Sequence, residues 1–127
     1  MDILVITCVV IDDDKNIVMV FSELLEFMGV EVLAQGHNGN DAISLYMKHR
    51  PDIIFTDIMM PHKDGFYGIE KIREFDPEAK IVAITADISS EADQRLHELN
   101  ITAIIYKPFT CDEIQQVLMQ EYKINTQ

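Results

Sequence analysis

PDIIFTDIMMPHKDG, running from Pro51 to Gly65, sets the pattern on which the rest of the chain is organised. The apolar run Ile53-Ile54-Phe55 leads to a single acid, Asp57, and the loop signals Pro61 and Gly65 follow. Strand-forming residues bounded by Pro and Gly predict a buried strand that ends at a surface loop. Asp57 then stands where a strand runs out into a cleft. What that carboxylate does there depends on what the other strands deliver beside it.

Upstream, Ile6 to Ile11 is a continuous apolar run, the mark of a strand covered on both faces, and it stops at Asp12-Asp13-Asp14. From Asn16, the residues Ile17, Val20, Phe21, Leu24, Leu25 and Met28 recur at spacings of three and four, which predicts an amphipathic helix closed by Gly29. Val30 to Ala34 reads as a short strand leaving through Gly36 to Gly39. Asp41 to Lys48, with Ala42, Ile43, Leu45, Tyr46 and Met47, reads as a helix stopped by Pro51.

Downstream, Phe66, Ile69, Ile72 and Phe75 give one apolar side to a helix over Gly65 to Phe75. Ile81 to Ile84 is a buried strand ending at Thr85. Ser89 or Ser90 caps a helix through Leu96 and Leu99 whose apolar face is thin. Ile101 to Tyr106 is a fifth strand ending at Lys107-Pro108. Thr110 caps a last helix with Ile114, Val117, Leu118 and Tyr122 inward, and Glu121 to Gln127 forms a polar tail. Strand and helix thus alternate five times, which predicts a parallel sheet with helices on both faces and right-handed crossovers.

Composition narrows the function. The chain has 127 residues, enough for one domain, and its net charge of -12 comes from 22 acids against 10 Lys and Arg. That balance argues against sequence-independent nucleic-acid binding and against an anionic membrane surface. It favours a cation or a basic protein face. The N-terminal residues carry Asp2 instead of a basic region and are too short to span a bilayer, so a core strand is expected and not a signal peptide. Cys8 and Cys111 form no CxxC pair and are expected as buried apolar residues in a reducing, cytoplasmic setting. His37, His49, His62 and His97 fit no metal-binding spacing and are expected in loops and at the surface.

In open α/β sheets, ligands gather beyond the carboxyl ends of the strands. Four of the five strand ends carry chemistry: Asp12 with Asp13, Asp57, Thr85 and Lys107, whereas the second strand ends in nothing comparable. Three adjacent carboxylates repel one another unless a cation joins them, and hard oxygen ligands with open positions suit Mg2+. A lysine and a hydroxyl opposite them are groups that grip phosphoryl oxygens. One carboxylate placed between metal and lysine is a nucleophile for phosphorus, and Asp57, alone at its strand end, is the candidate. Asp14 is expected to cap the first helix.

The motifs VVIDDD, FTDIMMPHKDG, AITAD and YKPFT, in this order and spacing, resemble the receiver domain of two-component response regulators over roughly Thr7 to Tyr122. The resemblance implies a doubly wound (βα)5, flavodoxin-like three-layer sandwich with strand order 2-1-3-4-5. It implies a single receiver domain over residues 1–127, with a core at about 7–122 and a polar tail at 123–127. Asp57 would be the phospho-acceptor, charged by a histidine kinase or phosphotransfer protein. Asp13, Asp57 and the Met59 carbonyl would bind Mg2+, with Asp12 acting mainly through water. Thr85 and the Ala86 amide would contact the attached phosphoryl group, Lys107 would pair with it, and the Lys107-Pro108 bond would be cis. Phosphorylation would shift the face built from the fourth helix, fifth strand and fifth helix and so alter binding of a downstream protein. The domain would be a monomer or weak dimer, catalysing only its own phosphorylation and dephosphorylation.

Two positions depart from the family pattern. Ile104 replaces an aromatic that usually lies three residues before the lysine, so smaller backbone and loop shifts are expected in place of an aromatic swing. Met59 occupies a site where polar residues that position an attacking water are common. Two other classes share parts of this pattern. An aspartate-nucleophile phosphohydrolase would want an acid two residues after its nucleophile, where Met59 stands. A degenerate receiver acting only as an interaction module is disfavoured by the full set of acids, Thr85 and Lys107. The chain ends soon after the fifth helix, so the expectation is either a single-domain regulator working through protein contacts or the receiver part of a longer protein.

Overall fold

Five strands and five helices alternate along the chain: β1 (Thr7–Ile11), α1 (Lys15–Phe27), β2 (Glu31–Gly36), α2 (Gly39–His49), β3 (Ile53–Asp57), α3 (Gly65–Phe75), β4 (Ile81–Thr85), α4 (Ser90–Glu98), β5 (Ala103–Tyr106) and α5 (Cys111–Tyr122). The structure is a computed structural model and describes residues 5–61 and 64–122. Asp2, His62 and the tail at 123–127 lie outside them, as does the side chain of Tyr122.

All neighbouring strands pair in parallel, in the order β2-β1-β3-β4-β5. Every residue of β3 and of β4 is buried, as continuous apolar runs require in a sheet covered on both sides. Alternate strand residues feed two cores. Cys8, Val10, Phe55 and Ile84 pack against Phe21 and Leu25 of α1 and Ile114 and Leu118 of α5. Val9, Ile54, Ile81 and Ala83 pack against Ala42 and Tyr46 of α2, Ile69 and Ile72 of α3, and Leu96 of α4. The strand order reverses between β1 and β3, and the crevice beyond their carboxyl ends is where such a sheet places its ligands.

Local chemistry fixes the helix ends. Asp14, Asn38, Asp64 and Ser89 each accept a backbone N–H of the helix that follows. Gly29, at φ 88°, closes α1, with its own N–H bonded to the Glu26 carbonyl and that of Val30 to Leu25. Asn100, at φ 55°, ends α4 in the same way, with Ile101 N–H returning to Leu96. That return is why β5 starts at Ala103 and not at the expected Ile101.

Three side chains differ from expectation. Val20 and Met47 are exposed, and Val18 and Ser22 take the inward positions on α1. A stripe of spacing three and four can be drawn on either flank of a helix, and packing chose the Val18 side. Cys111 is exposed in the first turn of α5, whereas Cys8 is buried in β1. Among the described residues, no helix is long and apolar enough to cross a membrane.

Candidate functional site

The sheet register assembles the site. Ile11 pairs with Thr56, so Asp12, one step beyond, comes level with Asp57. Asp57 pairs with Ile84, which sets Thr85 one residue further out on β4. Thr85 pairs with Tyr106, and Lys107 follows at the end of β5. The Lys107 N–H donates to the Thr85 carbonyl at 2.8 Å, and the Lys107-Pro108 bond is cis.

Asp12 and Asp57 are each only 4% exposed, and the Lys107 ammonium lies between them. Lys107 Nζ donates to Asp12 Oδ2 at 2.8 Å and to Asp57 Oδ2 at 3.3 Å. The remaining oxygens are held too. Asp12 Oδ1 accepts the Asp14 N–H at 3.0 Å, and Asp57 Oδ1 accepts the Met59 N–H at 3.2 Å. Asp13 is exposed beside them, and one oxygen from each of Asp12, Asp13 and Asp57 lies within 4.8 Å of the others. Asp14 is set apart: its Oδ1 accepts the N–H groups of Asn16 and Ile17 and caps α1.

Thr85 is buried, and its hydroxyl accepts the Asp87 N–H at 2.9 Å. That bond uses a lone pair and leaves the hydroxyl proton available to an incoming oxygen. Ala86 and Met59 are both exposed at the rim. The loop after Asp57 folds back tightly, with the Gly65 N–H on the Ile58 carbonyl at 3.2 Å. A Cβ at Gly65 would stand 2.0 Å from the Asp57 carbonyl oxygen and 2.5 Å from Ile58 Cα, so only glycine lets α3 begin this close to the strand end.

Burial, and then the neighbouring Asp12 carboxylate, hold the Asp57 carboxyl above its ordinary range, against the opposing pull of Lys107 and the Met59 N–H. Burial by itself would depress Lys107. Its bond to Asp12 and the charges of Asp57 and Asp12 outweigh that and raise it. Three carboxyl groups face one ammonium in the cleft, fewer cations than the acids need to be matched. Such a deficit, offered by hard oxygen donors, fits one divalent cation such as Mg2+.

One contact was not foreseen. The exit of β2, expected to carry nothing of note, brings His37 to the site: its Nδ1 lies 3.0 Å from the Asp12 carbonyl oxygen. The signal available in the sequence was position alone, since His37 directly follows the end of a strand in a sheet whose other strand ends are functional. His97 is a surface residue on α4 as expected, and His49 is partly exposed at the end of α2.

The family model for the response regulator receiver domain matches residues 8–119. The chain is 28% identical over 109 residues to the chemotaxis protein CheY of Bacillus subtilis, covering 86% of this chain and 91% of that one. It is 35% identical over 100 residues to Protein CcdB of Bacillus subtilis, covering 79% of this chain and 83% of that one. A chain in the crystal structure of the CheX–CheY–BeF3–Mg2+ complex from Borrelia burgdorferi matches with a TM-score of 0.87 at 24% identity, covering 92% of this chain and 89% of that one. At that identity the last likeness is one of fold.

Proposed function

The chain belongs to the response regulator receiver domains of two-component systems, and on that premise we propose that Asp57 is the phospho-acceptor of a signalling switch. The observation that carries this reading is the Asp57 carboxylate clustered with Asp12 and Asp13, with the Lys107 ammonium bridging Asp12 and Asp57. Asp57 has one oxygen on Lys107 and the other on the Met59 N–H, which holds the carboxylate in place at the strand end.

An Asp57 carboxylate oxygen attacks phosphorus of a phosphohistidine on a kinase or phosphotransfer protein. The new O–P bond gives an acyl phosphate, the P–N bond breaks, and the departing imidazole nitrogen keeps the electron pair and takes a proton. Asp13, Asp57 and the Met59 carbonyl would hold Mg2+, with Asp12 acting through water. The metal would supply charge neutralisation for the transferring group. Lys107 would pass from the carboxylates to the phosphoryl oxygens, Thr85 would donate its free hydroxyl proton, and the Ala86 amide would contact the same group.

The output is a change in the face formed by α4, β5 and α5, read by a downstream protein in the cytoplasm. Ile104 packs against the core shared by α2, α3 and α4, while Tyr106 is already 38% exposed. This arrangement supports output through loop and backbone shifts. The domain acts as a switch with no separate substrate, binds neither nucleic acid nor membrane directly, and works as a monomer or weak dimer.

The test is incubation with acetyl phosphate and Mg2+ followed by intact-mass measurement. Wild type gains one phosphate, and Asp57→Asn does not. Equal gain by the variant would overturn the assignment of Asp57.

A further inference from the structure

The backbone of Asp12 is tied to the exit of β2 on both sides of its Cα. Its N–H donates to the Gly36 carbonyl at 3.1 Å, and its carbonyl oxygen meets His37 Nδ1 at 3.0 Å. A carbonyl can only accept, so this bond requires the proton on Nδ1 of His37. His37 is itself fixed: its backbone N–H donates to Asp41 Oδ2 at 2.8 Å, and the Asp41 N–H donates to Asn38 Oδ1 at 2.8 Å. The turn leaves little room to relax, since a Cβ at Gly36 would lie 2.7 Å from Asp41 Cβ and 2.8 Å from Ile11 Cδ1.

We propose that His37 is a positioning residue for the acidic pair, orienting the Asp12-Asp13 peptide by an Nδ1–H···O=C bond to Asp12. This rests on the Mg2+ site proposed above. The Asp12 carbonyl belongs to the peptide that links Asp12 to Asp13, so rotating it swings both acids at once. Lys107 and the Asp14 N–H hold the Asp12 side chain, but neither fixes this peptide plane. His37 does so from the opposite edge of the crevice. Groups that orient ligands without touching the metal affect affinity by about ten- to a hundredfold.

The test reads the protein without any phosphoryl donor. Long-range 1H–15N spectra of the metal-free wild type at about pH 8 should show His37 as the Nδ1–H tautomer, and an Nε2–H tautomer overturns the proposal. Calorimetric titration with MgCl2 then compares wild type, His37→Ala and His37→Asn. Asparagine places an amide N–H where Nδ1 stood, so it keeps the donor while losing the ring. His37→Ala should weaken Mg2+ binding about tenfold, and His37→Asn should restore it to within about threefold of wild type. Wild-type affinity in His37→Ala, or no recovery in His37→Asn, overturns the positioning role alone. A wild type that binds no Mg2+ overturns the metal reading and this role with it.

Discussion

Asp57 sits in an environment unfavourable to its own charge. It is buried beside Asp12, and the two carboxylates share one ammonium at 2.8 and 3.3 Å. Taking an ion out of water costs more than one shared partner returns. Asp57→Asn is therefore expected to stabilise the metal-free protein by about 1–2 kcal/mol, read as a higher thermal midpoint in EDTA at neutral pH. A lower midpoint would mean that pairing with Lys107 outweighs burial and repulsion. The two thiols make a second comparison at this scale. Burial, helped by the charge of Glu26, pushes the Cys8 thiol up to about 12, whereas Cys111 is exposed. Ellman's reagent at about pH 8 should titrate one thiol promptly in the native protein and the second only after denaturant is added. Prompt reaction of both would contradict the buried position of Cys8.

At the scale of elements, two side chains tie the helices of one layer together. Arg73 on α3 donates from Nε to the Leu99 carbonyl at 3.0 Å, from Nη2 to Asn100 at 2.6 Å, and from Nη1 to Pro77 at 3.2 Å and to the Ala79 carbonyl. The planar fork thus joins the carbonyls just beyond the end of α4, the helix with the thinnest apolar face, to the loop that follows α3. Arg73→Ala should cost about 2–3 kcal/mol in urea denaturation, and Arg73→Lys should recover only part of it because an ammonium cannot fork. Full recovery by lysine would show that charge alone matters. Tyr46 on α2 donates its hydroxyl to Asp76 Oδ2 at 2.8 Å, at the end of α3. Burial first, then that bond and the Asp76 charge, raise the Tyr46 phenol above its usual 10.0. Between the unfolded value and the raised one, the native state keeps a proton that the unfolded chain releases. The stability this supplies is present below pH 10.0 and is lost as pH rises through the raised value. Tyr46→Phe should cost about 1.5–3 kcal/mol at neutral pH, with the gap to wild type narrowing as pH climbs past 10. A gap independent of pH would contradict the raised phenol.

For the whole molecule, a cation binding the cleft must stabilise the fold, because the three carboxylates come together only when the sheet forms. At Mg2+ about a hundredfold above its dissociation constant, the gain is about 2.7 kcal/mol. MgCl2 should therefore raise the wild-type melting midpoint by several degrees. Asp13→Asn should lose most of that rise with little change in the metal-free midpoint, since Asp13 is exposed. An equal rise in both proteins would move the cation away from this cleft.

Periodicity and breakers act locally, so the five strand–helix repeats, the parallel sheet and the chemistry at four strand ends were legible in the residues alone. Asp57, Lys107, Thr85 and the acid pair could be read there since each stands at or one residue beyond the end of an apolar run. The tertiary structure decided what depends on neighbours. Packing put Val18 inward in place of Val20 and left Cys111 exposed, choices that helical spacing leaves open. The register between β1 and β3 brought Asp12 level with Asp57 and so let one lysine reach both. His37 could not be found by motif, because its partner is the backbone carbonyl of Asp12, an acceptor that every residue carries and only the fold selects.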